Sequence, residues 1–425
     1  MHPLARTPWF INHDITEEIK AFRKLSYPEE YQISLPSSTT MIHANGASPV
    51  PLPQVTTAEM ERHVDNITPI RNILSSTPYE CSTIEQLSGG HLNLTYRGLL
   101  AHPLADGSKS VIIKHSKDYV TFVPGVTCLA SRCKVEYGVL EALARGLVAP
   151  KHYEGVIVKT PCPYHFFEQN VQIMEDLQGT TPLVDIISAA GCHMSPNLAA
   201  SLGYAIGSWL GSLHCSTSKR GGGKFDLHEN PVGRDTMYRF YLGRLEEKIR
   251  TAPHLFDGVA DQVRKYAVEE IERRDEDCGM SLVHGDFSVR NLLISDASQD
   301  RGYVTVSPID FESSHYGRRD QDLAQIMGDL YILEIVKGVK MGRTLLQHII
   351  RGYPVLHEEE IFHTACYVGI MIIVWTFAIG IGMTVEQEEQ IILFARDLIV
   401  RSQERDRAWL ETTIVGCLFQ ESQGV

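Results

Sequence analysis

Apolar positions change their period along the chain, and the change divides it. Between Tyr79 and Leu177 short runs alternate apolar with polar residues. Glu85-Gln86-Leu87 and Leu94-Thr95-Tyr96-Arg97 flank a Gly-Gly turn, Ser110-Val111-Ile112-Ile113 is β-branched, and Val171-Gln172-Ile173-Met174 ends at Gln178-Gly179. A period of two marks strands, and a spacing of three to four marks helices. Helical spacing covers Thr56 to Leu74 and Ala130 to Leu147, then dominates Pro196 to His214, Met237 to Arg273 and nearly all of Leu330 to Ile414. The pattern predicts an α+β protein of two lobes, a small antiparallel β-sheet lobe with one main helix and a larger, mostly helical lobe. Residues 1–55 read as an extension and linker, 56–177 as the N-lobe and 178–425 as the C-lobe. The extension holds an amphipathic stretch, Ile15 to Leu25, and a Pro/Ser-rich segment.

Within the helical half, two polar segments sit beside short apolar runs. His284-Gly285-Asp286-Phe287-Ser288-Val289-Arg290-Asn291 lies between Ser281-Leu282-Val283 and Leu292-Leu293-Ile294, and Ile309-Asp310-Phe311-Glu312 follows Tyr303-Val304-Thr305-Val306. The flanks read as buried strands, making the first segment the tip of a hairpin-like element. Four residues separate Asp286 from Asn291, so one irregular loop presents a carboxylate and an amide together. Phosphoryl transfer to a hydroxyl needs a carboxylate that orients or deprotonates the acceptor, and hard oxygen ligands for magnesium on a triphosphate. Asp286 fits the first task; Asn291 and Asp310 fit the second, with Glu312 as a third candidate ligand. The bland alternative makes both aspartates ordinary turn residues. Both segments in order favour the chemistry, with His284 holding the loop through hydrogen bonds.

Such a site also requires, upstream and in order, a glycine-bearing turn, a strand lysine and a helical glutamate. Ser88, Gly89, Gly90, His91 and Asn93 form a turn whose glycines allow close backbone approach to phosphate. Lys114 ends the β-branched run and is the candidate for the α- and β-phosphates. Glu136, in the helix from Ala130 to Leu147, is its candidate partner, and Glu141 on the same helix is the alternative. Each has a plainer reading: a hairpin turn, a strand-end lysine reaching solvent, a solvated helix glutamate. The Gln178-Gly179 turn marks a hinge whose backbone would meet an adenine edge.

Together these residues resemble the aminoglycoside phosphotransferase and choline kinase group of small-molecule kinases, with its H-G-D-x-x-x-x-N loop and I-D-x-E motif. The likeness spans roughly Tyr79 to Leu330 and includes Leu210-Gly211-Ser212-Leu213-His214 and Asp322-Leu323-Ala324. Gly89-Gly90-His91-Leu92-Asn93, Ile112-Ile113-Lys114 and Gly328-Asp329-Leu330 look most like methylthioribose kinase and its fungal relatives. The resemblance implies a protein-kinase-like fold, ATP and Mg2+ as cofactors, and a small-molecule acceptor hydroxyl on an amino alcohol, aminoglycoside, hydroxyindole or sugar derivative. Two departures matter. Gly285 stands where protein kinases carry the H-R-D arginine, and no A-P-E segment follows Asp310, which argues against a protein kinase. Asn291 follows the aminoglycoside-kinase pattern rather than that of methylthioribose kinase. A non-catalytic nucleotide-binding scaffold is the remaining alternative, and retention of Lys114, Asp286, Asn291 and Asp310 together speaks against it.

Composition adds limits. A formal net charge of −13 disfavours nucleic-acid phosphate as a partner. Nine cysteines, with no C-x-x-C spacing, read as reduced thiols of a cytoplasmic protein. The N-terminus lacks the charged start and apolar core of a secretory signal, and the apolar stretch from Tyr367 to Met383 falls short of a membrane span. No membrane or nucleic-acid partner is expected, and the sequence leaves the oligomeric state, monomer or homodimer, open.

Overall fold

The alternating segments close into a sheet, as their period of two requires. The computed structural model describes residues 66–87, 93–120, 123–127, 129–189, 194–218, 230–273, 279–295, 303–380 and 382–419. Its first half runs α1 (Ile67–Leu74), β1 (Cys81–Gln86), β2 (Leu94–Leu100), β3 (Ser110–His115), β4 (Tyr119–Val120), β5 (Val123–Thr127), α2 (Arg132–Ala144), β6 (Lys151–Tyr153), β7 (Val156–Val158), β8 (Pro163–Phe167) and β9 (Val171–Glu175). The main sheet has the order β1-β2-β3-β9-β8, every neighbouring pair antiparallel. One register row sets Tyr96 beside Ile113 and Ile113 beside Ile173; all three are buried in a core with Ile70 and Leu74 of α1. The next row sets Thr95 beside Lys114 and Lys114 beside Gln172. Alternation therefore turns Lys114 to the opposite face, towards α2.

Beyond β9 the chain returns through Asp176–Gly179 to a second sheet, which β6 and β7 have already joined. Arg97 donates to both Asp176 oxygens at 2.9 and 3.1 Å, and Ser110 Oγ donates to one of them at 2.7 Å, tying this connection to the first sheet. The second half comprises β10 (Thr180–Pro182), α3 (Leu183–Ser188), α4 (Pro196–Thr217), α5 (Pro231–Thr251), α6 (Ala260–Glu272), β11 (Met280–Val283), β12 (Leu292–Ser295), β13 (Val304–Pro308), β14 (His315–Arg318), α7 (Asp320–Lys337), α8 (Met341–Gly352), α9 (Glu358–Ile379), α10 (Val385–Gln403) and α11 (Arg407–Leu410). The second sheet has the order β10-β12-β13-β7-β6. The result is the expected two-lobed, kinase-like architecture, a small antiparallel sheet with one main helix followed by a mostly helical lobe. The helical stretch expected from Met237 to Arg273 is two helices, broken where Pro253 lacks a backbone donor.

The expected hairpin around Asp286 does not form. β11 pairs with β14, and β12 pairs with β10 and β13, so the loop between β11 and β12 bridges two sheets. Hairpin connections are commonly about two to five residues, and the longer loop here leaves each flanking run to find its partner in a later strand. Local alternation identified both strands but carried no information about which strand each would join.

Helix α9 is apolar around its whole circumference, the pattern of a helix buried on all sides. By length and hydropathy it would suffice to cross a membrane, but 83% of its apolar window is buried within the protein. It packs between α7 and α10, where Gly369 lets the α10 backbone at Ala395 approach closely.

Candidate active site

The loop from His284 to Asn291 is held from beneath by Asp322 in the first turn of α7. Its Oδ2 accepts from the His284 backbone N–H at 2.7 Å and its Oδ1 from that of Gly285 at 3.0 Å, while His214 Nε2 lies 3.0 Å from Oδ2. Burial pushes the Asp322 carboxyl up, but the His214 hydrogen bond and the neighbouring histidines bring it below the usual carboxylate range. The His284 ring spans the loop: Nε2 donates to the Ile309 carbonyl at 2.9 Å, and Nδ1 accepts from the Asp286 backbone N–H at 3.3 Å. Gly285 has φ 80°, and a Cβ there would collide with the Ser313 carbonyl, so the arginine of the protein-kinase motif has no place.

These contacts present Asp286 at the loop tip. Asn291 Nδ2 donates to Asp286 Oδ2 at 2.9 Å and to its carbonyl at 3.0 Å, and Gln325 Nε2 of α7 donates to Oδ1. Arg290 stands on the other side, its guanidinium 3.9 Å from Oδ1, anchored by Ser288 Oγ at 3.1 Å and lying 4.9 Å over the Trp375 ring of α9. Trp209, by contrast, packs against Phe287 and Phe311 in the core under the loop. Asn291 and Asp310 terminate neighbouring strands, because Ile309 N–H donates to the Asn291 carbonyl at 3.0 Å just where β12 and β13 part.

Asp310 has φ 70° and ψ 58°, a left-handed conformation that aspartate tolerates better than most residues. It aims the carboxylate at the N-lobe, where Lys114 Nζ donates to Oδ1 at 2.7 Å. Lys114 also donates to Glu136 at 2.6 Å, and Gln172, its register neighbour, bonds the other Glu136 oxygen. Burial opposes the Lys114 charge, but Asp310, Glu136 and Glu312 outweigh it and hold the ammonium well above the usual lysine range. Burial likewise acts against the Asp310 carboxylate, and Lys114 wins, keeping it below its ordinary value. Glu141 pairs instead with Arg145 on the outer side of α2, which decides between the two helix glutamates.

Asn93 and Glu312 meet each other. Asn93 Nδ2 donates to Glu312 Oε2 at 2.5 Å, and Arg132 Nε donates to the same oxygen at 3.0 Å. Burial and the Asp310 charge push the Glu312 carboxyl up to about 7 against the pull of Arg132 and Lys114. Ser88, Gly89, Gly90 and His91 lie outside the described residues. The structure thus links Lys114, Glu136, Asp286, Asn291 and Asp310 through one continuous set of contacts, with Asn93 and Glu312 beside it. Sequence reading missed Gln325 and Arg132; Gln325 follows Asp322 by three positions on α7, which places both on the face turned to the loop.

Residues 83–356 match the family described as APH, phosphotransferase enzymes. The chain belongs to this phosphotransferase family. Phosphotransferase FrzJ of a Cladobotryum species is 30% identical over 380 residues, 84% of this chain and 98% of that protein. Among solved structures, choline kinase from Cryptosporidium parvum is 13% identical with a TM-score of 0.44, covering 84% of this chain and 100% of that one. An aminoglycoside-3'-phosphotransferase of type VIII is 17% identical with a TM-score of 0.42, covering 74% and 98%. As an APH member the protein is a small-molecule phosphotransferase.

The residues present fit a nucleotide. A buried lysine held charged between two carboxylates supplies a fixed cation for phosphate, and Asn291 with Asp310 offers the oxygen donors that a hard divalent cation takes.

One phosphotransferase residue behind the loop titrates far from its ordinary range. Asp329 of α7 accepts from the Val289 backbone N–H at 3.2 Å, and burial, reinforced by the Asp286 charge and opposed by Arg290, pushes its carboxyl up to about 7. An unfolded aspartate titrates near 3.9. The folded protein therefore keeps a proton that the unfolded chain releases, so this contribution to stability is fully present below about pH 4 and is lost as pH rises to about 7. Asp329→Asn is expected to remove that component. Its melting temperature relative to wild type should rise from pH 5 to pH 8, as thermal denaturation at the two pH values will show; an unchanged difference would contradict the assignment.

Proposed function

We propose that the protein transfers the γ-phosphate of ATP to a hydroxyl group of a small molecule, an amino alcohol, aminoglycoside, hydroxyindole or sugar derivative. The observation that carries this reading is the linkage of two carboxylate sites: Asp286 bonded to Asn291 at the loop tip, and Asp310, one residue beyond the backbone partner of Asn291, bonded to Lys114 across the lobes. Asp286 receives the acceptor's proton while the acceptor oxygen forms its bond to the γ-phosphorus and the bond to the β–γ bridging oxygen breaks. Gln325 and Asn291 hold the Asp286 carboxylate from two sides, so its direction is set before the acceptor arrives. Lys114, kept charged by Glu136, meets the α- and β-phosphates. Asn291 and Asp310 are the residues that would hold Mg2+, which when bound would neutralise charge on the triphosphate. Arg290 flanks Asp286, backed by the mostly buried Trp375 ring, and is the side chain placed to select the acceptor.

The test is ATP consumption with Mg2+ across amino alcohols, aminoglycosides, hydroxyindoles, sugar alcohols and ribose derivatives including methylthioribose. Turnover that depends on one acceptor class supports the reading and names the class. Nucleotide binding with no turnover on any of them would count against it.

A further inference from the structure

Beside the Lys114 cluster lies a second buried ionic cluster that no step of the reaction uses. Arg132 opens α2 and is 8% exposed, and its guanidinium is spent in four directions. Nε donates to Glu312 Oε2 at 3.0 Å, NH2 to Asn93 Oδ1 at 2.9 Å, and NH1 to the carbonyls of Lys117 and Leu129 at 3.0 and 2.9 Å. Asn93 closes the ring by donating to Glu312, and Ser116 Oγ donates to Asn93 Oδ1 at 2.6 Å. Asn93, Ser116, Arg132 and Glu312 are all buried.

The two clusters share their elements. Arg132 lies one helical turn before Glu136 on α2, Ser116 two residues after Lys114, and Glu312 two residues after Asp310, while Asn93 directly precedes β2, the strand paired with the Lys114 strand. Every member of the second cluster thus sits on, or directly beside, an element that carries or pairs with a residue of the Lys114 cluster. Removing these charges from water is costly, and a buried ion network commonly adds less stability than an apolar cluster of its size. What such a network does supply is fixed geometry, because a planar guanidinium satisfies its acceptors only in one arrangement.

We propose that Arg132 is a positioning residue, a clasp that fixes the start of β2, α2 and the Asp310 turn to one another so that Lys114, Glu136 and Asp310 are aligned before nucleotide arrives. The proposal rests on the nucleotide reading given above. It makes Glu312 the C-lobe half of the clasp, so its contribution to binding does not depend on a divalent cation.

The experiment is calorimetric binding of ADP to the full chain, once in EDTA and once with Mg2+, for wild type, Arg132→Gln, Glu312→Gln and the double variant, well below each melting temperature. Arg132→Gln is expected to weaken ADP by about tenfold in both buffers, the scale on which residues act on a ligand through their neighbours. The double variant should lose no more than the worse single variant, because the two residues form one interaction. Arg132→Lys should recover only part of the loss, since an ammonium cannot bridge Glu312 and Asn93 as a fork does. A merely structural role would lower the melting temperature and leave ADP affinity in the folded protein unchanged, overturning the proposal. Additive losses, or a Glu312→Gln loss seen only with Mg2+, would overturn it as well. Should Arg132→Gln fail to fold, Glu312→Gln alone in EDTA decides. If wild type itself binds no ADP, the nucleotide reading fails and the clasp with it; if wild type binds and the variants match it, only the clasp fails.

Discussion

Asp286→Asn should lower kcat by roughly 10^2- to 10^4-fold, the span seen when a general base is removed, while the affinity for ADP changes little. The separation is expected from geometry. Asp286 stands at the loop tip with Asn291 and Gln325 donating to its two oxygens, whereas the lysine assigned to phosphate lies across the cleft on β3. An asparagine keeps the size of the side chain and one acceptor oxygen, but it turns an amide towards one of the two donors, so a small local readjustment accompanies the loss of the base. Because Asp322 and His284 hold the loop backbone independently of the Asp286 side chain, the loop itself should survive the change. Steady-state turnover on the acceptor identified by the panel, alongside calorimetric ADP binding, tests both halves. A kcat within tenfold of wild type would remove Asp286 from the catalytic role; loss of ADP binding would mean that the loop had collapsed and that the variant reports on folding.

How much of this was legible in the sequence depends on the range of each interaction. Lys114 could be placed because alternation alone sends it to the face opposite Ile113, and the register with Gln172 then builds its surroundings. The Asp286 to Asn291 spacing was legible for the same reason: both residues share one loop. Glu136 and Glu141 could not be ranked from spacing, since α2 buries residues on more than one side, Arg132, Cys133, Glu136, Val139 and Leu140 among them. Only the fold shows that Glu136 meets the sheet and Glu141 meets Arg145.

Pairings distant in sequence were the ones that escaped. The hairpin expectation failed because β11 finds its partner in β14 and β12 in β13, and four-residue strands carry no register signal of their own. Gln325 was invisible because a glutamine in a helix has no signature until the helix is laid against the catalytic loop. The same holds for Arg132, whose partners Asn93 and Glu312 lie 219 residues apart in the chain. Trp375 could be singled out in the sequence as an aromatic residue, but with core packing the better reading of it, and the ring is indeed mostly buried; only the fold shows that it reaches Arg290 of the loop from α9.

Asp310→Asn should reduce kcat/KM by about 10^2- to 10^3-fold, the scale for loss of one charge-stabilising group in a preorganised site, and should raise the Mg2+ concentration needed for half-maximal rate. The choice of substitution matters because Asp310 occupies the left-handed region, φ 70° and ψ 58°. Asparagine tolerates that conformation, so the variant removes the charge and leaves the turn intact. Alanine would add backbone strain of about 1–2 kcal/mol and blur the result. Lys114 retains Glu136 at 2.6 Å in either variant, so its ammonium stays paired and the N-lobe should hold its form. Asp310→Asn and Asp310→Ala are therefore expected to share the same defect in turnover and differ in melting temperature, alanine being the lower. That pattern assigns the loss of activity to the carboxylate. Near-normal turnover in Asp310→Asn, with alanine alone impaired, would instead assign it to the shape of the turn, and the metal role proposed for Asp310 would have to be given up.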